Sequence, residues 1–238
     1  RESPESCMTQ PARTRLPRER RIAETLIAAR AIFEKQGYAE AAMSEIASRV
    51  GVVEGTLYRF FSSKADLLMA VTCQWYEEIR VPLQEGLPLR KSLRERLHFA
   101  IWHHLMCIET SPELVNLFHN VVRMDKRYPT SELFEHNRWY VNVVSDILKE
   151  GISTGEVRSE LPVKMVRNMV FGLAEQQTWA YRCGLASLDV ERMANEITDL
   201  VLSVCRPSSR VDAVAATQIG ALARQIVSLA NQSPGARA

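Results

Sequence analysis

No stretch of the 238-residue chain carries the unbroken apolar run that a membrane span needs, and the segment up to Gln10 has no apolar centre of the kind a secretory leader uses. The reading is therefore a cytoplasmic protein. Sustained apolar/polar alternation is missing as well, which excludes a sheet-based fold. The five cysteines, Cys7, Cys73, Cys107, Cys183 and Cys205, are odd in number and scattered, without the paired spacing of a zinc ribbon or a redox couple. They read as free thiols. No HExxH pattern accompanies the histidines, and the adjacent His103 and His104 point about 100° apart on a helix. No metal site and no cofactor site is expected.

What is present is apolar residues at helical spacing through nearly every segment, with 46% hydrophobic residues to build a core. The chain reads as all-α. Charge is uneven along it. From Arg13 to Lys64 ten Lys or Arg face six Glu, an excess of +4, whereas residues 65–238 carry nineteen basic against twenty acidic side chains. A basic N-terminal module on a near-neutral body suits a phosphate-facing head.

The pattern predicts a disordered leader over 1–16, rich in Pro, Arg and Ser, then a helical head over 17–64, a body over 65–206, and an additional helix and tail over 207–238. The first helix, about 18–36, places Ile22, Leu26, Ala29 and Phe33 on one stripe and ends at Gly37. Short helices at 43–50 and 54–60 flank Gly51-Val52-Val53. A fourth helix starts after Ser63, which with Asp66 forms a capping box, and is expected to end near Arg80. Pro82 and Pro88 should bracket a loop. Further helices are predicted at about 90–109, 112–125, 130–150, 162–183 and 187–205, and an amphipathic stretch at 210–230 carries Val211, Val214, Ile219, Leu222, Ile226 and Leu229.

Residues 43–61, MSEIASRVGVVEGTLYRFF, supply the parts of a helix-turn-helix. Ile46, Ala47, Val50, Val52 and Leu57 form a small core, and Gly51 makes the turn. Glu54, Gly55, Thr56, Tyr58 and Arg59 are left facing outward. The hydroxyls of Thr56 and Tyr58 suit phosphates, Gly55 allows close backbone approach, Arg59 can reach a guanine edge, and Lys64 stands ready for another phosphate. Glu54 either accepts from a cytosine amino group or orients Arg59; beside a phosphate it is repulsive. Periodicity alone would equally suit a helical hairpin with an ordinary solvated face.

The full string is more specific. F33-x-x-x-G37-Y38, followed by I46-A47-x-x-x-G51-V52-x-x-G55-T56-L57-Y58-x-F60-F61-x-S63-K64-x-x-L67-L68, resembles the TetR/AcrR family of transcriptional regulators over about 50 residues. The resemblance implies a homodimer with a three-helix DNA-binding domain and a divergent helical domain that binds an inducer and dimerises. It also implies DNA contacts at Thr56, Tyr58 and Lys64. The chain departs from the pattern at Ala41 and Ala42, where Thr or Ser is usual, at Val53, where Ser or Thr is usual, and at Phe60, often Tyr or His. Two capping hydroxyls are thereby missing, and Phe60 cannot hydrogen-bond a phosphate. Arg18, Arg20 and Arg21 are expected to compensate through backbone or minor-groove contacts.

In the body, Trp102, His103, Met106, Cys107, Phe118, Trp139 and Tyr140 offer the apolar lining with a few polar atoms that a small apolar or aromatic ligand would use. The same residues would serve as plain core. Residues 162–205 carry two helices suited to a four-helix bundle across a two-fold axis, with Gly172 and Ala174 among Val166, Met169, Val170 and Leu173. The expected mechanism is a repressor dimer on a near-palindromic operator, released when a ligand favours a form that no longer fits the grooves. Two other readings remain open. One is an α-helical enzyme using Glu109, His104 or Asp125, for which no nucleophile–base pair is visible; the other is an interaction module that has lost specific DNA binding.

Overall fold

In the computed structural model, residues 18–206 are described; the 1–16 leader and the 210–230 amphipathic stretch lie outside them. Every element among the described residues is helical. Two compact units form. One holds the described residues through Glu78 together with Ser111–His136, the other Ile79–Thr110 together with the described residues from Asn137 on.

The first unit is built on α1 (Arg18–Glu40), α2 (Met43–Arg49), α3 (Glu54–Tyr58) and the first turns of α4 (Lys64–Gly86). The buried stripe of α1 runs through Thr25, Ala28, Ala29, Ile32 and Phe33, while Ile22 and Leu26 of the expected stripe are only half-buried. Gly37 breaks the helical path with φ 77° and ψ 176°, a region open in practice to glycine alone. The turn brings Tyr38 back beside Phe33, ring centroids 6.1 Å apart. Gly37→Ala is expected to destabilise the protein by about 1–3 kcal/mol. Urea denaturation reads this, and an unchanged midpoint would show that the turn accepts a side chain.

Behind α1, α6 (Pro112–Leu117) buries Leu114, Val115 and Leu117 and packs against it. The helix expected over 112–125 stops there. A π-helical turn follows at Phe118–Val122, because the Arg123 amide reaches back to the Phe118 carbonyl at 2.9 Å. That turn sets Phe118 edge-on to both Tyr76 and Tyr128.

α4 is capped as the sequence predicts, Ser63 Oγ accepting from the Asp66 amide at 3.1 Å. It does not end at Arg80. Pro82 lies within it at an exposed position, and the helix continues to Gly86.

The second unit packs α5 (Leu93–Thr110) against α10 (Val190–Cys205), with α7 (Glu132–Thr154), α8 (Val163–Gln177) and α9 (Trp179–Arg182) completing it. Leu97, Ile101, Leu105 and Ile108 of α5 and Ala194, Ile197, Val201 and Cys205 of α10 are buried. Arg94 pairs with Asp199 across the seam, and His98 Nε2 lies 3.3 Å from Glu191 Oε1. Gly151, expected to end its helix, sits inside α7 instead. A Cβ there would meet Val157 Cγ2 at 2.7 Å, and the turn belongs to Gly155 at φ 78°. The single helix expected over 162–183 divides at Thr178, whose hydroxyl donates to the Ala174 carbonyl at 2.7 Å.

Candidate nucleic-acid interface

The outward face of α3 follows from what its inner face buries. Ile46 and Leu57 are fully buried with Ala47 beside them, and Gly51 takes φ 68°. Its amide donates to the Ser48 carbonyl at 3.1 Å and the next, from Val52, to Ala47 at 3.0 Å. Two short helices are thereby locked at a tight turn with little freedom to rotate. Val53, Glu54, Gly55, Tyr58 and Arg59 are left exposed and Thr56 half-buried.

Neither helix is capped by a side chain. Ala42 and Val53 hold the cap positions of α2 and α3 without a side-chain hydrogen bond, as the missing hydroxyls require. Gly55 has no internal reason to be glycine, since its backbone is helical and a Cβ would meet nothing within 4 Å.

The basic residues expected at DNA fall into four settings. Arg18 holds its guanidinium 5.7 Å from the centroid of the Phe60 ring, a cation–π contact that sets a cation where Phe60 itself offers no donor. Arg20 pairs with Glu24 at 3.2 Å, and Arg21 is half-buried beside it on α1. The Arg59 side chain is exposed, with no hydrogen bond or ion pair to any described residue.

Lys64 differs from all of these. Its ammonium donates to the carbonyls of Tyr38, Ala39 and Ala41 at 2.7, 3.2 and 2.9 Å, and lies 4.5 Å from the Tyr38 ring centroid. Three donors meet three carbonyls, and the ammonium thereby ties the Gly37 turn to the start of α4. Nearby, Arg127 bridges Asp66 and Asp125. Hydrogen bonds from Arg127 hold the Asp125 carboxyl down to about 2. That pairing gives Asp125 a structural role, and it lies in a different unit from Glu109 and His104, the other acids and bases weighed for catalysis.

Of the residues expected to line a ligand pocket, the second unit brings three into contact. Tyr140 Oη lies 3.2 Å from His103 Nδ1 and 4.0 Å from Cys107 Sγ, and His104 Nδ1 is 3.5 Å away on its other side. Burial keeps His103 neutral, its pKa lowered to about 4, and pushes the Cys107 thiol up to about 12. Trp139 lies under the Arg80 guanidinium at 4.4 Å, Trp102 stacks beside Phe99 at 6.1 Å, and Met106 is half-buried on α5. Phe118 belongs to the first unit, in the Tyr76–Tyr128 cluster.

Sequence reasoning missed a cleft of about 720 Å³ whose walls include Arg90, Lys91, Arg94, Phe99 and Trp102. The one local signal for it was the Ser92–Glu95 capping box, which the structure forms: the Glu95 carboxylate accepts from the Lys91 and Ser92 amides at 2.9 and 3.1 Å.

Comparison with known proteins covers most of the described chain. Residues 26–71 match the bacterial regulatory proteins of the tetR family, and residues 76–204 match the C-terminal region of YsiA-like proteins. The fatty acid metabolism regulator protein of Bacillus subtilis is 24% identical over 172 residues, 72% of this chain and 89% of that protein. The HTH-type transcriptional repressor KstR2 of Mycolicibacterium smegmatis is 25% identical over 184 residues, 75% of this chain and 87% of its own. The crystal structure of the regulator FadR from Bacillus subtilis in complex with stearoyl-CoA superposes with a TM-score of 0.67 at 23% identity, over 77% of this chain and 99% of that one.

Proposed function

This chain belongs to the TetR family of bacterial regulatory proteins and is a DNA-binding transcriptional regulator, and from that premise we propose that it acts as a cytoplasmic homodimeric repressor whose α3 enters the major groove of a near-palindromic operator. The observation that carries the reading is the exposed, rigidly backed face of Gly55, Tyr58 and Arg59 opposite the buried Leu57. Tyr58 and Thr56 supply hydroxyls to phosphates, Arg59 reaches a guanine edge, and Arg18, Arg20 and Arg21 add backbone contacts, with Arg18 standing in for the donor that Phe60 lacks.

Dimerisation through α8 and α10 is supported by large apolar side chains left exposed in that region: Met165 and Leu185 at 70% each, Trp179 at 54% and Leu200 at 46%. Gly172 is exposed there too, with nothing within 4 Å of a Cβ, so a second backbone can come close. A two-fold dimer presents two recognition helices about 34–36 Å apart and so reads two half-sites.

The effector in this reading is apolar along most of its length. One relative was crystallised with stearoyl-CoA, and the Mycobacterium tuberculosis KstR2 structure is of a ketosteroid transcriptional regulator. In this chain the Tyr140 hydroxyl, ringed by His103, His104 and Cys107 among apolar neighbours, is the polar point such a molecule's carbonyl would address. Release requires that the effector bind one form of the dimer better than the other.

Sedimentation of the protein on an operator duplex tests both parts. The expected result is two chains per duplex and dissociation on adding stearoyl-CoA. One chain per duplex would overturn the dimer, and a complex that persists in saturating stearoyl-CoA would overturn the fatty-acyl effector.

A further inference from the structure

Glu54 is out of place on a surface that meets phosphates. It lies exposed in the first turn of α3, beside Gly55 and one turn before the exposed Tyr58 on the same side of the helix. Its carboxylate has no hydrogen bond or ion pair among the described residues, so the structure does not use it to orient Arg59. Val53, immediately before it, is 75% exposed and has no polar side-chain atom, which leaves Glu54 as the polar side chain at that end of the helix.

A carboxylate accepts hydrogen bonds and cannot donate them at neutral pH. Phosphates repel it, and its usable partners in a major groove are the exocyclic amino groups of cytosine and adenine. Adenine sets the N7 acceptor beside its N6 donor, and a carboxylate forming a hydrogen bond to N6 meets that lone pair. Cytosine presents N4 with no neighbouring acceptor on its own edge.

Resting on the operator-binding reading above, we propose that Glu54 is a specificity-determining residue: its carboxylate accepts from the N4 amino group of one cytosine in each operator half-site. The carboxylate then weakens binding to DNA at large, through repulsion, and favours the sites that present that cytosine.

The two effects have opposite signs, and Glu54→Ala, which removes the acceptor together with the charge, separates them. Duplexes are selected from a random pool by wild-type protein and by Glu54→Ala, and affinities for the wild-type operator and for an unrelated duplex follow by fluorescence anisotropy. Wild-type selections should carry a cytosine at one position of each half-site. Glu54→Ala should lose that preference alone, bind the operator about tenfold or more weakly, and bind the unrelated duplex at least as tightly as wild type. An unchanged cytosine preference, or tighter binding to operator and unrelated duplex alike, would overturn the assignment while leaving the operator-binding reading in place. If wild type enriches no sequence, the operator-binding reading falls, and this inference with it.

Discussion

Replacing Lys64 by Met is expected to lower the unfolding free energy by about 2–4 kcal/mol, because a charged donor is removed from three backbone carbonyls at once. The methionine keeps most of the side chain's length and packing, so the loss reports the ammonium. The carbonyls of Tyr38, Ala39 and Ala41 flank the short connection between α1 and α2, where the Gly37 turn has already used the chain's freedom to redirect itself. Operator affinity should fall as well, since α2 and α3 would no longer be held against α1. Urea denaturation together with the salt dependence of operator binding distinguishes this role from a phosphate contact. A structural lysine gives a lower unfolding midpoint and an unchanged salt slope. A phosphate contact gives unchanged stability and a slope reduced by about 0.9.

Gly55 is expected to show the opposite pattern. Its backbone is helical, nothing stands within 4 Å of an added Cβ, and glycine inside a helix costs about 0.8–1 kcal/mol relative to alanine. Gly55→Ala should therefore raise stability by about 0.5–1 kcal/mol. Gly55→Leu should fold equally well and lose about a hundredfold or more in operator affinity, because the side chain holds the recognition helix off the groove and forfeits contacts worth ~1–3 kcal/mol each. Thermal melts and anisotropy titrations on the same preparations decide it. If Gly55→Leu binds the operator as wild type does, DNA does not approach α3 at this point.

These two residues show what the sequence could reveal. The helix-turn-helix was legible because its determinants are local: Ile46, Ala47 and Leu57 fall on the facing sides of two short helices, and Gly51 lies where the turn needs φ 68°. The Ser63–Asp66 cap was legible for the same reason. The carbonyls that the Lys64 ammonium meets were not, because they lie 23 to 26 residues earlier and are brought to it by the Gly37 turn. Arg18 beside Phe60 was likewise set by folding, across 42 residues of sequence.

Local signals also misled where packing outweighed them. Pro82 reads as a helix breaker, yet on an exposed face of α4 its missing amide costs little that water does not replace. Gly151 reads as a helix end, yet it is inside α7 because Val157 packs where a side chain would be. In the body, composition pointed to aromatic and sulfur-bearing residues without giving their grouping. His103, Cys107 and Tyr140 converge across 37 residues of sequence, while Phe118, equally aromatic, packs with Tyr76 and Tyr128 in the other unit. The cleft beside Trp102 depends on the 3₁₀ turn Leu87–Leu89 and on α10 lying along α5, which no local pattern encodes.

The most direct test of the central claim, that the outer face of α3 reads DNA, is selection of bound duplexes from a random pool by wild-type protein beside a Tyr58→Phe/Arg59→Ala variant, at two salt concentrations. Both substituted side chains are exposed, so the variant should keep the fold. The account predicts that wild type enriches a near-palindrome that the variant binds at least about tenfold more weakly. Failure of the wild type to enrich any sequence at low salt, or equal binding of the selected site by both proteins, would contradict it.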